Sequence, residues 1–89
     1  MPFEISVKRY VSDGSARLVF PEGTVSIESE ACRGNDDVRE VVVPAGVREI
    51  GPYAFSACLN LRRVVLPESL ERLGAAAFEH CQKLEEVTL

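Results

Sequence analysis

The chain is poor in the residues from which catalytic and metal sites are built. Its 89 residues include one histidine, three cysteines and no tryptophan. Cys32, Cys58 and Cys81 are 26 and 23 residues apart, and neither their odd number nor their spacing fits a disulfide framework or a zinc site. His80 alone cannot hold a metal ion, and no orienting group can be named for a His80–Cys81 pair. We therefore expect no cofactor, no metal and no enzymatic activity, with reduced cysteines packed as small apolar side chains.

Long apolar runs and an excess of positive charge are missing as well. The longest apolar runs, Val41–Val43 and Gly74–Phe78, are too short to span a bilayer. Glu4 and Lys8 interrupt the segment in which a signal peptide needs a continuous apolar core. The net charge of −4 leaves no basic stripe to neutralise phosphates. We expect no membrane insertion and no nucleic-acid partner, and the lack of a signal favours a cytoplasmic location.

The chain does contain a repeat of 23 residues. Val38–Asn60 aligns with Leu61–Lys83, and Leu84–Leu89 begins a further copy. The two full copies share their proline, corner glycine, Ala-Phe pair and cysteine, at Pro44 and Pro67, Gly51 and Gly74, Ala54-Phe55 and Ala77-Phe78, and Cys58 and Cys81. A fixed period of 20–50 residues is typical of stacked units that cannot bury their apolar faces alone.

The repeat divides the chain into an N-terminal cap, residues 1–14, and a solenoid, residues 15–89. The solenoid comprises coils 15–37, 38–60 and 61–83 and a partial coil 84–89. The first coil is less faithful, since Cys32 stands where Phe55 and Phe78 stand. In the cap, Phe3–Val11 alternates like a strand, and Asp13-Gly14 is a turn signal. We expect a capping hairpin in which Phe3–Val11 pairs antiparallel with Arg17–Phe20.

Each coil is expected to hold strands and a short helix. Val64 and Leu66 alternate inward along a strand that Pro67 ends. A second extended piece follows, with Leu70 and Leu73 inward, and Gly74 permits a corner. Ala75–Cys81 is then predicted to form about two helical turns. The fold class is therefore an α/β repeat solenoid of stacked parallel strands with short helices.

The repeat pattern resembles the bacterial leucine-rich repeats of the BspA type. That pattern is L-x-x-V-x-L-P-x-x-L-x-x-[IL]-G-x-x-A-F-x-x-C. The match is carried by Leu61, Val64, Leu66, Pro67, Leu70, Leu73, Gly74, Ala77, Phe78 and Cys81, with their counterparts 23 residues earlier. The resemblance implies a leucine-rich-repeat solenoid, often surface-exposed, that serves in adhesion or protein binding.

Charged residues one period apart give an independent prediction of the stack, because such residues lie about 4.8 Å apart in parallel strands. Arg17, Glu40, Arg63 and Glu86 alternate in sign along one column. On the second strand, Arg48 should meet Glu71 and Glu49 should meet Arg72. Opposite charges at such positions are stabilising. One column departs from this rule, since Arg39 stands beside Arg62, with Glu85 following.

Two surfaces are candidates for function. The open face of the sheet should present Arg17, Val19, Glu40, Val42, Arg63, Val65, Glu86 and Thr88 to a protein partner. Its apolar column could equally be no more than good strand-forming residues. The last strand should leave an uncovered edge at Leu84, Val87 and Leu89, where a two-fold homodimer could join C-terminal coils. The alternative is that the chain is a fragment of a longer repeat array.

Overall fold

The structure is a computed structural model that describes residues 4–10 and 14–88. These residues form eight short strands and no helix. The strands are β1 (Ile5–Val7), β2 (Arg17–Val19), β3 (Thr24–Ile27), β4 (Glu40–Val42), β5 (Glu49–Ile50), β6 (Arg63–Val65), β7 (Arg72–Leu73) and β8 (Glu86–Thr88).

The strands alternate between two parallel four-stranded sheets. The first sheet has the order β1-β3-β5-β7, and the second has the order β2-β4-β6-β8. Each full coil therefore supplies one strand to each sheet. In the second sheet, Glu40 lies opposite Arg63, and Arg63 lies opposite Glu86. The predicted 23-residue register and the solenoid architecture are confirmed.

The core lies between the two sheets and is built from equivalent positions of successive coils. Leu18, Val41 and Val64 form one inward column, and Ile27 and Ile50 form another. The side chains of these five residues are fully buried. Because strand side chains alternate between faces, the residues on either side of each inward one must point outward.

The predicted N-terminal hairpin is wrong for the residues that the structure describes. β1 pairs parallel with β3, with Val7 opposite Ile27, and does not pair with β2. Beyond β1, the Tyr10 amide donates to the Ala31 carbonyl at 2.8 Å. The segment is therefore half a coil of the same stack. Alternation in Ile5–Val7 indicates a strand but does not specify the direction of its partner. Phe3, Val11 and Asp13, which the prediction also used, lie outside the described residues.

The predicted helix at Ala75–Cys81 is also wrong, because this segment is a series of turns. Ala76 and His80 have positive φ angles of 56° and 64°, which interrupt a right-handed helix. We call the turns at Ala75–Cys81 and at the equivalent residues of the other coils the turn layer. The amide groups of the turn layer form hydrogen bonds between coils: Phe55 donates to the Ala77 carbonyl at 2.8 Å, and Ala57 donates to the Glu79 carbonyl at 2.7 Å. A backbone committed to these bonds cannot also form the i→i−4 bonds of a helix.

Candidate interaction surface

The second sheet presents one side to the core and the other to solvent. The face opposite the buried column carries the eight residues of the predicted binding face, which we call the outer face: Arg17, Val19, Glu40, Val42, Arg63, Val65, Glu86 and Thr88. Their neighbours Leu18, Val41 and Val64 are fully buried. The strand period therefore fixes which side chains a partner could reach.

A continuous ladder of ion pairs runs across the outer face. Arg17 Nε lies 3.2 Å from Glu40 Oε1, and Arg63 Nη1 lies 3.5 Å from Glu40 Oε2. Arg63 Nε also lies 3.1 Å from Glu86 Oε1. Among the described residues, Glu40 and Arg63 thus each have two oppositely charged neighbours, whereas Arg17 and Glu86 have one. Exposed pairs of this kind contribute little individually, but the ladder fixes the position of four long side chains.

Beside the ladder lies a narrower apolar column than the sequence suggests. Val42 and Val65 are half-buried, and Val19 is 68% exposed. Thr88 ends the column and is exposed. The two central valines have a strand neighbour on each side, since Val42 lies between Val19 and Val65, and Val65 lies between Val42 and Thr88. The column therefore offers a short apolar contact rather than a wide patch.

A depression lies at the N-terminal ends of the strands of the second sheet, and the sequence prediction did not assign it to the site. This depression of about 350 Å³ is lined by Arg39, Glu40, Arg62, Arg63, Glu85 and Glu86. Arg39 and Arg62 are adjacent along the stack, because the Arg62 amide donates to the Arg39 carbonyl at 2.8 Å. Both side chains are exposed, and among residues 4–10 and 14–88 no ion pair includes either one. The like-charged column was the signal that could have pointed to this depression.

The predicted pairs on the first sheet are also present. Arg48 Nε lies 3.9 Å from Glu71 Oε2, and Arg72 Nη1 lies 3.5 Å from Glu49 Oε2. All five predicted pairs of opposite charge are therefore ion pairs. The two pairs on the first sheet belong to a different face, so they supply matched control positions for the outer face.

The predicted self-association edge is partly exposed. Val87 is 48% exposed although it continues the buried column of Val41 and Val64. Leu73 was expected to point inward, yet it is 50% exposed because no described strand lies beyond β7. Leu84 is half-buried, and Leu89 lies outside the described residues. The apolar interior is thus accessible at this end of the stack.

The cysteines lie close together in the turn layer. Cys32 and Cys58 are buried, and Cys81 is half-buried. Burial raises the pKa of the Cys32 thiol to about 12. Cys81 Sγ donates to the Phe55 carbonyl at 3.1 Å, and Cys58 Sγ donates to the Cys32 carbonyl at 3.2 Å. Interaction with the Cys58 thiol, which favours the Cys81 thiolate, lowers the pKa of Cys81 to about 7 and raises that of Cys58. The neighbouring His80 is exposed, and its Nε2 atom lies 3.0 Å from Glu79 Oε1. Cys81 is therefore the thiol with the greatest thiolate fraction at neutral pH.

The described residues lack two other kinds of feature. No group of three or more His, Cys, Asp or Glu side chains there is arranged to hold a metal ion. Within the same residues, no helix has the length and apolar character needed to cross a membrane.

The paired parallel sheets, the 23-residue coils and the stacked turns define a leucine-rich-repeat solenoid. The family model for the BspA type leucine rich repeat region matches residues 4–89 in six copies. The chain therefore belongs to the BspA-type leucine-rich-repeat family, as its repeat pattern suggested. The match begins at residue 4, in agreement with β1 being part of the stack. No curated protein and no solved structure matches the chain significantly.

Proposed function

We propose that the chain is a non-catalytic protein-binding module that uses the outer face of its second sheet. The observation that carries this proposal is the arrangement beside β4 and β6. There, the exposed guanidinium groups of Arg39 and Arg62, which belong to no ion pair among the described residues, line a depression at the start of the strands that carry the half-buried Val42 and Val65. Membership in a repeat family supports a role in binding, since stacked repeats present extended surfaces.

The chemistry of this face favours a partner segment with a carboxylate next to an apolar side chain. Guanidinium groups bind carboxylates with two parallel hydrogen bonds, and Arg39 and Arg62 stand at the rim of a depression that a side chain could enter. The neighbouring Glu40 is already paired with Arg17 and Arg63. A carboxylate would therefore meet two arginines that belong to no ion pair among the described residues, beside Glu85 in the same depression.

The test is a selection of peptides from a random displayed library on the folded chain. Binding of the selected peptides should fall by about tenfold with Arg62→Ala and with Val65→Ala, as expected of central interface side chains. Arg72→Ala is the matched control, since this arginine lies on the first sheet. The proposal predicts enrichment of acidic residues among the selected peptides.

Two results would contradict the proposal. One is a selection that yields no specific binder. The other is a set of binders that are unaffected by Arg62→Ala and Val65→Ala but lose affinity with Arg72→Ala, which would place binding on the first sheet. Circular dichroism of each variant shows whether the fold is preserved.

A further inference from the structure

The described strands leave a half coil at each end of the stack. At one end, β1 contributes to the first sheet without a strand of its own coil in the second sheet. At the other end, β8 contributes to the second sheet without a strand of its own coil in the first. The end that carries β1 lacks a second-sheet strand, which β8 of another copy could supply. The end that carries β8 lacks a first-sheet strand, which β1 of another copy could supply.

We propose that copies of this chain associate head to tail, with β1 and β2 of one copy extending β7 and β8 of the next. In the shared coil, β8 of one copy would supply the second-sheet strand and β1 of its neighbour the first-sheet strand. The new strand pairs are parallel, like all pairs within the chain. The contact is strand addition to a free sheet edge, which supplies backbone hydrogen bonds in register.

Charge supports this direction of stacking. Along the second sheet the signs alternate from Arg17 through Glu40 and Arg63 to Glu86, and only the two end members have a single partner among the described residues. Head-to-tail association places Arg17 of one copy beside Glu86 of the other, so the alternation continues across the junction. A two-fold contact between C-terminal ends would instead bring the Glu86 side of each copy against the same side of its partner.

Apolar side chains at the two ends also correspond. The row Val7, Ile27, Ile50 and Leu73 would continue with the next copy's Val7 beside Leu73. Leu73 and Val87 are 50% and 48% exposed, and Val7 and Tyr10 are half-buried. The same junction would bring Leu18 of one copy beside Val87 of the other, so inward columns meet inward columns. This inference rests on the ends of the stack and is independent of the proposed use of the outer face.

The first measurement is the mass of the 89-residue chain in solution as a function of concentration, by sedimentation. A head-to-tail contact does not close on itself unless the copies form a ring. The average mass should therefore rise above 9.8 kDa and continue beyond the dimer. In any filament, each copy would add four coils of about 4.8 Å, or about 19 Å, which electron microscopy can measure.

Two charge-reversal variants test the register of the junction. The head variant, Ser6→Arg with Arg17→Glu, places like charges opposite Arg72 and Glu86 of the neighbouring copy. The tail variant, Arg72→Glu with Glu86→Arg, places like charge opposite Arg17. The altered side chains are exposed, but Arg17→Glu, Glu86→Arg and Arg72→Glu also replace an ion pair within the chain by a like-charged contact. Circular dichroism of each variant must therefore show that the fold persists. Each variant alone should associate about tenfold more weakly or worse, since like charges across an interface are costly.

The decisive sample is an equal mixture of the two variants. The altered head of the head variant is complementary to the altered tail of the tail variant, and the other junction between unlike copies joins an unaltered head to an unaltered tail. Junctions between copies of the same variant are repulsive, so the mixture should recover the association of the unaltered chain, with the two variants in alternation. Arg39→Glu changes charge by the same amount as Arg17→Glu away from both ends, and it should leave association unchanged.

Three outcomes would overturn the proposal. The first is a concentration-independent mass of one chain at hundreds of micromolar. The second is a dimer that the head variant still forms but the tail variant does not, which would indicate a two-fold contact between C-terminal ends. The third is a mixture of folded variants that fails to associate although the unaltered chain does.

Discussion

The rings of Phe55 and Phe78 stack face to face, with centroids 5.4 Å apart and planes 6° from parallel. Phe20 contacts the ring of Phe55 edge-on, with centroids 6.3 Å apart and an interplanar angle of 77°. Phe55 is fully buried, whereas Phe78 is half-buried. Phe55 therefore fills the centre of the aromatic layer that joins successive coils.

Replacement of Phe55 should destabilise the fold more than replacement of Phe78. Phe55→Ala removes a fully buried ring with aromatic contacts to two coils, and it should lower the free energy of unfolding by about 3–5 kcal/mol. Phe78→Ala should cost less, because its ring is already partly accessible to solvent. Urea unfolding followed by circular dichroism measures both. Equal losses for the two variants would contradict the central role of Phe55.

The corner glycines are required by close contact between coils. A Cβ atom on Gly51 would lie 2.5 Å from the Ser29 amide nitrogen, and one on Gly74 would overlap the backbone of Gly51 and Pro52. Gly51→Ala and Gly74→Ala should each lower the free energy of unfolding by about 3 kcal/mol or more, because backbone atoms must shift.

Gly34→Ala is the control for the corner glycines, measured in the same urea series. Gly34 has a positive φ of 74° but no atom near a Cβ position, and Ala57 occupies the equivalent place with φ 59°. This variant should cost only about 1 kcal/mol. A larger loss for Gly34→Ala than for Gly51→Ala would refute the steric explanation.

Glycine should relieve the backbone strain of the left-handed residues in the turn layer. Ala76 has a φ of 56°, a conformation that costs an L-residue about 1–2 kcal/mol. Ala76→Gly should therefore raise the free energy of unfolding by up to about 1 kcal/mol, after the greater freedom of glycine in the unfolded chain is subtracted. Ala75→Gly is the matched control, because the φ angle of Ala75 is not positive, and this variant should lower the free energy of unfolding. Thermal unfolding ranks the pair, and the reverse order would be incompatible with the observed backbone.

The ladder of the second sheet predicts that reversal of one charge lowers the stability of the fold. Reversal of all four charges in the column should restore most of that stability. Glu40→Arg loses two ion pairs and creates two like-charged contacts, with Arg17 and Arg63, so it should lower stability by about 1 kcal/mol. Inverting all four members, Arg17, Glu40, Arg63 and Glu86, restores alternation and should recover most of that loss. High salt should reduce the difference. Unfolding experiments in which the inverted column is no more stable than Glu40→Arg would show that neighbour charge does not contribute.

The sequence permits prediction of the stack and the ladder because both depend on a single number, the 23-residue period. Once Pro44 is aligned with Pro67, every neighbour between β4 and β6 follows. The partner of β1 did not follow, because its register shifts between Ile5 and Ser6 and its offset from β3 differs from the period.

Two further features of the structure could not be predicted from the local sequence. The turn layer resembles a helix in sequence because Ala76 and His80 adopt left-handed conformations without being glycine. The depression beside Arg39 and Arg62 was missed as a site, although their like charge was visible. Its shape depends on how far neighbouring side chains extend, which spacing alone does not determine.

The cysteines should react with iodoacetamide in a fixed order. The interaction with the Cys58 thiol lowers the pKa of Cys81 to about 7, whereas burial raises that of Cys32 to about 12. Because the thiolate is the nucleophile, the folded chain should take up one label at neutral pH, at Cys81, and three labels in denaturant. Mass spectrometry locates the labels, and the labelling rate of Cys81 should rise through an inflection near pH 7.

The control for this assignment is Cys58→Ala, which removes the thiol that interacts with Cys81. The inflection for Cys81 should then move upward towards the ordinary cysteine value, because the interaction that favours its thiolate is lost. Cys32→Ala should leave the inflection nearly unchanged, since the side chain that interacts with the Cys81 thiol is that of Cys58. First labelling at Cys32, or an inflection that Cys58→Ala does not move, would contradict the pairing of the Cys58 and Cys81 side chains.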